Sequence, residues 1–152
     1  MTQYLDEKDF LTVVRDAPLV SIDLIVTDAD GSVLVGQRKN APAKNYWFVP
    51  GGRIYKNETL DSAFSRISQS ELGHAYQRKN AHLLGNYDHI YDDNFAEAVG
   101  FGTHYVVIAY QISGNQSQLQ LPDIQHSSYI WMSPSELITR TDVHPNTKAY
   151  LL

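Results

Sequence analysis

The stretch GGRIYKNETLDSAFSRISQSELG, residues 51–73, carries the residue types that hold a phosphate and a metal ion. Gly51 and Gly52 follow Pro50. Glycines let a backbone approach a ligand closely or take a positive φ, and the same pair also suits a plain tight turn. Arg53 and Arg38 offer planar forks of donors that match phosphate oxygens, although each taken singly suits an ordinary surface position. At 100° per residue, Leu60, Phe64, Ile67 and Glu71 fall within about 60° of one another on a helix. Glu71 therefore projects from an apolar stripe. A carboxylate there loses hydration and needs a metal or a cation, or else it sits where the stripe has emerged into water. Helix geometry alone leaves both readings open. Glu58 and Arg66 stand two turns apart, which suits a structural ion pair better than catalysis.

Elements must position these groups. Residues 7–16 suit a short helix with Phe10, Val13 and Val14 on one face. PLVSIDLIVT (18–27) reads as a strand, Asp30-Gly31 as a hairpin turn and SVLVGQR (32–38) as the returning strand. Asp23 alternates with Ile22 and Leu24, so it points away from their apolar layer toward a cleft. WFVPGG reads as a short strand cut off by Pro50. Thr59–Leu72 reads as a helix, with Glu58 and Asp61 near its positive end and Gly73 as its stop. HLLGNYDHIY (82–91), THYVVIAYQI (103–112) and SYIWM (128–132) are strands, while 92–102 and LPDIQH (121–126) are loops. Ser133-Pro134-Ser135-Glu136 opens a last helix, with Ser133 as cap. The order implies an α/β (α+β) fold with a mixed sheet covered by helices.

The spacing in 51–73 resembles the Nudix box: Gly52, five residues, Glu58, seven residues, Arg66, then Glu71 and Gly73. Most Nudix enzymes place Glu directly after the Arg and a Glu pair further on. Those positions are Ile67, Ser70 and Glu71 here, so two of three acidic metal positions are gone. The fold this resemblance implies is a Nudix-like α/β/α sandwich over one domain, residues 1–152.

The departures are themselves those of an atypical Nudix branch, the GDP-mannose mannosyl hydrolase family. The resemblance runs through TVVRDAPLVSIDLIV, YWFVPGGR, ETLDSAFSR, SELG, YDDNF, THYVV and LPDIQHSSYIW, and extends to the C-terminal AYLL. It implies Mg²⁺, with Mn²⁺ as a substitute, held by the Gly51 carbonyl, Glu71 and Gln125. An oxygen-only set of this kind suits Mg²⁺. It implies His126 as general base, a role that an imidazole near pKa 6.5 suits around neutrality. Read alone, His126 is an exposed loop histidine. The resemblance further implies Arg38 and Arg53 as a diphosphate clamp and Tyr105 as a hydroxyl donor to the leaving diphosphate. Asp23 and His89 would stand near the sugar, and Tyr4, Leu5 and Phe10 at the nucleotide, partly across a homodimer. Separately, the acidic and apolar composition of loop 92–102 suggests a segment that closes over the sugar.

The implied reaction is hydrolysis of GDP-mannose, or GDP-glucose, to GDP and the sugar. Water attacks the anomeric carbon with inversion. Two alternatives are weighed against it. One is a Nudix pyrophosphohydrolase attacking phosphorus, which the acids missing at 67 and 70 disfavour. The other is a nucleotide-sugar-binding module without turnover, which the retained Gly51, Glu71, Gln125 and His126 disfavour.

Bulk properties agree. The 152 residues are 43% hydrophobic and 19% charged, with a net charge of −5. That balance argues against broad binding of nucleic acid or anionic membrane. There is no cysteine, hence no disulfide or thiolate chemistry, as fits a reducing cytoplasm. The polar start MTQYLDEKDF is unlike a signal peptide, and no apolar run reaches the roughly 18 residues of a membrane span.

Overall fold

The computed structural model describes residues 4–116, 119–121 and 126–152, and for His126 and Ser127 the backbone alone. Helix α1 (Glu7–Asp16) starts at Asp6, whose carboxylate accepts from the Asp9 N–H at 2.8 Å. Of its expected apolar face only Val14 is buried; Phe10 turns partly toward a cleft. Strand β1 (Leu19–Thr27) runs through the centre of a sheet that has seven strands among the described residues. It pairs in parallel with β6 (Thr103–Ser113) along its whole length. Strand β5 (His82–Tyr91) lies antiparallel outside β6.

The expected hairpin is only half formed. Asp28 Oδ1 accepts from the N–H groups of Asp30 and Ser32, and Gly31 takes φ +81°, so the turn itself is as read. Yet β2 (Val33–Arg38) meets β1 only at Thr27 and Val33. It then pairs with β3 (Trp47–Phe48) and β7 (His126–Met132) instead. The vacated edge of β1 is taken by β4 (Gly51–Arg53), so WFVPGG contains two short strands with Pro50 between them. His126, expected in a loop, opens β7, and its backbone stands in register with Arg38.

Helix α2 (Leu60–Leu72) is built as its sequence implies. Thr59 caps it by accepting from Ser62 N–H, and Gly73 ends it at φ +73°. Its stripe packs on one sheet face, where Phe64, Ile67 and Leu72 meet Ile22, Leu24 and Val26. Leu60, expected on that stripe, is at the exposed edge. The opposite face carries Ile25, Val33 and Val35, covered by Leu137 of α3 (Pro134–Thr139) and by Tyr150, just beyond α4 (Pro145–Lys148). Ser133 caps α3 by accepting from Glu136 N–H at 3.2 Å. Helices thus cover both faces of a mixed sheet, an α/β/α sandwich. Among the described residues no helix is long and apolar enough to cross a membrane.

Candidate functional site

A cleft of about 650 Å³ opens where β1, β4, α2 and the strand pair β5–β6 meet. Asp23, Arg38, Gly51, Arg53 and Glu71 line it. So do His89, Tyr105, Tyr4, Leu5 and Phe10. Residues from seven segments of the sequence are thereby brought to one cleft. Gln125 lies outside the described residues, and of His126 only the backbone is placed, beside Arg38.

The open question about Glu71 has an answer: it is 5% exposed, so the stripe has not emerged into water. Burial pushes its carboxyl up to about 7, with Arg38 pulling down and Asp23 pushing up. Ile67, where the box usually has an acid, is 1% exposed and belongs to the core. Ser70, the other missing acid, lines the cleft. One face of α2 therefore supplies packing at 67 and a single carboxylate at 71.

Contact requires glycine at 51 and leaves little room at 52. A Cβ on Gly51 would lie 2.6 Å from the Ile22 carbonyl oxygen, and closer still to Asp23. A Cβ on Gly52 would meet Ile67 at 3.3 Å. The glycine backbone thus lies directly on the helix surface one turn before Glu71. A carboxylate and a backbone carbonyl are hard oxygen donors, and Glu71 is buried with no hydrogen bond or ion pair to the described residues. This donor set fits a divalent cation of the Mg²⁺ or Mn²⁺ type. Among the described residues no cluster of three or more His, Cys, Asp or Glu side chains is gathered for a metal.

Two guanidinium groups face the same space. Arg38 Nε is buried without a hydrogen-bond partner among the described residues, an open donor where an anion would bind. Arg53 is held among rings, its guanidinium carbon 4.1 Å from the centre of Phe10, 4.8 Å from Tyr55 and 5.5 Å from Tyr4. Its backbone is braced from behind. Arg66 donates to the Arg53 carbonyl at 2.8 Å and to both oxygens of Glu58 at 2.6 and 2.9 Å. Glu58 also accepts from Tyr55 N–H at 3.0 Å. The Glu58–Arg66 pair is structural, as its spacing suggested. Tyr105 is pushed above its ordinary value by burial, against the pull of Arg38 and Arg53, so its hydroxyl keeps its proton.

Beside Gly51 the cleft is lined by buried polar groups. Asp23, whose alternation pointed it away from the α2 layer, accepts a 2.5 Å hydrogen bond from Tyr150 Oη. Burial pushes the Asp23 carboxyl up to about 7, offset in part by that bond and by Arg38. His89 is 5% exposed, and burial, aided by His144, pushes it down to about 4. Loop 92–102 is folded around Asn94, whose side chain donates to the Ala98 and Phe101 carbonyls at 2.9 and 3.0 Å. This sets Phe95 5.1 Å from Phe10 at the cleft mouth.

Sequence reasoning missed Tyr150, Tyr91, Tyr55 and Phe95. Tyr91 and Phe95 begin and end the YDDNF segment, and Tyr150 lies in AYLL, so all three belong to segments that carry the family resemblance. No spacing rule singles them out, because their roles arise from strand register and chain return.

The NUDIX domain family model matches residues 17–152. The low-salt glycan biosynthesis protein Agl8 of Haloferax volcanii is 34% identical over 151 residues, 99% of this chain and 90% of that protein. The MutT NUDIX hydrolase of Burkholderia pseudomallei is similar in structure, with a TM-score of 0.70 and 26% identity, over 90% of this chain and 97% of that one. The NUDIX domain of Shewanella oneidensis NrtR, solved with ADP ribose, has a TM-score of 0.62 and 19% identity over 96% of both chains, a likeness of fold.

Proposed function

The chain belongs to the NUDIX family, and on that premise we propose that it hydrolyses a GDP-hexose, GDP-mannose first, to GDP and the free sugar by attack of water at the anomeric carbon. One observation carries the reading. Helix α2 presents a single carboxylate to the cleft, because residue 67 is a core isoleucine and residue 70 a serine, while two arginines converge on the same space. Such a site is poorly equipped to activate water for attack on phosphorus. It is well equipped to stabilise a departing diphosphate. The glycan-related name of the Haloferax relative is compatible with a sugar nucleotide.

Glu71 and the Gly51 carbonyl, with Gln125 as third donor, would hold Mg²⁺ or Mn²⁺. A divalent ion there supplies Lewis-acid stabilisation of negative charge on the diphosphate. Arg38 and Arg53 grip the diphosphate oxygens and take up the charge that develops as the C–O bond breaks. Tyr105 donates a hydrogen bond to the same leaving group. A leaving group so held needs no strong general acid. His126 takes a proton from the attacking water on the opposite face of the sugar. One displacement inverts the anomer, giving β-mannose from the α-linked substrate. Asp23 and His89 face the sugar, and Tyr4, Leu5 and Phe10 flank the base, in a homodimer.

The test is turnover of GDP-mannose in ¹⁸O-water with Mg²⁺, followed by NMR and mass analysis of the products. The expected label is in mannose, released first as the β anomer. Label in a phosphate overturns the reading in favour of attack at phosphorus. Tight GDP binding with no turnover under Mg²⁺ or Mn²⁺ overturns it in favour of a binding module.

A further inference from the structure

We propose that Tyr150 is a positioning residue of the cleft, its hydroxyl bridging Asp23 and His89 and fixing which of their atoms remain to meet a bound hydroxyl group. Tyr150 stands in a short 3-10 turn, Ala149–Leu151, behind α4. That region is anchored from several sides. His144 N–H donates to the Trp47 carbonyl at 3.2 Å, and the His144 ring stacks on Phe48 at 4.7 Å. Asn146 donates to Tyr91 Oη at 3.3 Å. The Tyr150 ring is 9% exposed and meets Tyr87 edge-on at 4.8 Å. Its hydroxyl is therefore delivered to one place, between β1 and β5.

A tyrosine hydroxyl has one proton to give. Tyr150 gives it to Asp23 Oδ2 at 2.5 Å. With Asp23 ionised, the contact of 3.3 Å between Tyr150 Oη and His89 Nε2 runs the other way, with His89 Nε2–H as donor. In a neutral imidazole this leaves Nδ1 as a bare acceptor, and the burial that pushes His89 down to about 4 keeps it neutral. Asp23 Oδ2 is occupied, and its partner oxygen Oδ1 lies beside Gly51. Two acceptors, Asp23 Oδ1 and His89 Nδ1, are what the bridge leaves unclaimed in two residues that line the cleft. Their complement is a pair of hydroxyl donors, the chemistry of a sugar ring. That choice of ligand rests on the proposed function, whereas the bridge and the tautomer do not.

The experiment separates the two. In ¹⁵N-histidine-labelled protein without substrate, long-range ¹H–¹⁵N spectra read each ring's tautomer, and His89→Gln assigns the His89 signals by their loss. The expected wild-type pattern is Nε2 protonated and Nδ1 bare. Nδ1 protonated with Nε2 bare reverses the bridge and overturns the proposal, whatever the substrate. Tyr150→Phe is expected to abolish that fixed pattern. It should leave GDP affinity within about twofold and lower the kcat/KM preference between GDP-mannose and GDP-glucose about tenfold, since a site built for hydroxyl groups discriminates through them. A Tyr150→Phe protein with unchanged tautomer and unchanged preference overturns it. If that variant does not fold, or if neither sugar nucleotide is turned over, the wild-type spectrum still decides the bridge.

Discussion

Asp23 Oδ1 lies so close to Gly51 that a Cβ at residue 51 would overlap it. The glycine that opens the box-like stretch is therefore fitted against a carboxylate of the central strand. Gly51→Ala must push β4 away from β1 or turn Asp23 aside. The expected result is a loss of about 1–3 kcal/mol in stability by denaturant titration. Mn²⁺ binding, followed by electron paramagnetic resonance, weakens in parallel.

Glu71→Gln removes the one carboxylate that α2 buries at the cleft, while keeping its shape and its helix. Mn²⁺ affinity and kcat for GDP-mannose are each expected to fall by at least about a hundredfold, since a metal serving the leaving group is worth several kcal/mol. The Tm in EDTA should not fall, because burial disfavours the Glu71 charge more than Arg38 favours it. Unchanged Mn²⁺ affinity would sink the assignment of Glu71 as a ligand.

Arg53→Lys keeps the charge but not the plate. The guanidinium now lies 4.1 Å from the centre of Phe10, a packing that an ammonium group cannot reproduce, and the fork of donors is lost. We expect kcat/KM to fall about ten- to a hundredfold, with inhibition by GDP weakened to match. Competition by GDP against a fluorescent analogue measures the second effect.

Glu58 and Arg66 offer a pH test. Arg66 holds the Glu58 carboxyl below the usual range, chiefly through their hydrogen bonds, against a smaller opposing effect of burial. A group with a depressed folded value binds its proton more weakly in the folded state. Its stabilisation is present above the unfolded value and is lost as pH falls through the folded one. Wild type should therefore exceed Glu58→Gln by about 1–3 kcal/mol at pH 7. The gap should close as pH drops below about 4.5. A pH-independent gap in urea melts would contradict this account.

Local rules made much of the fold legible. Thr59 and Gly73 bracket α2 because capping chemistry is local, and Asp28 to Ser32 form their turn for the same reason. Strand partnership was not legible. Nothing in SVLVGQR says that β2 leaves β1 after one residue pair and yields that edge to β4, since pairing is decided by packing between distant segments. The register that sets His126 against Arg38 has the same origin. At the site, alternation sufficed to point Asp23 away from the α2 layer, and projection put Glu71 on the inward stripe. Whether that stripe was still buried at 71 depended on what covers it. Nothing within AYLL singled out Tyr150, because its role comes from a hydrogen bond across the fold.

That bond spans 127 residues along the chain. Closing so long a loop carries an entropic cost that is recovered only when the whole sheet is already in place. The turns and helix caps are formed within a few residues and can assemble early. The Asp23–Tyr150 side of the cleft belongs instead to the slowest class of contact. In a refolding experiment catalytic competence should therefore return after the backbone signal, as the last property the molecule acquires.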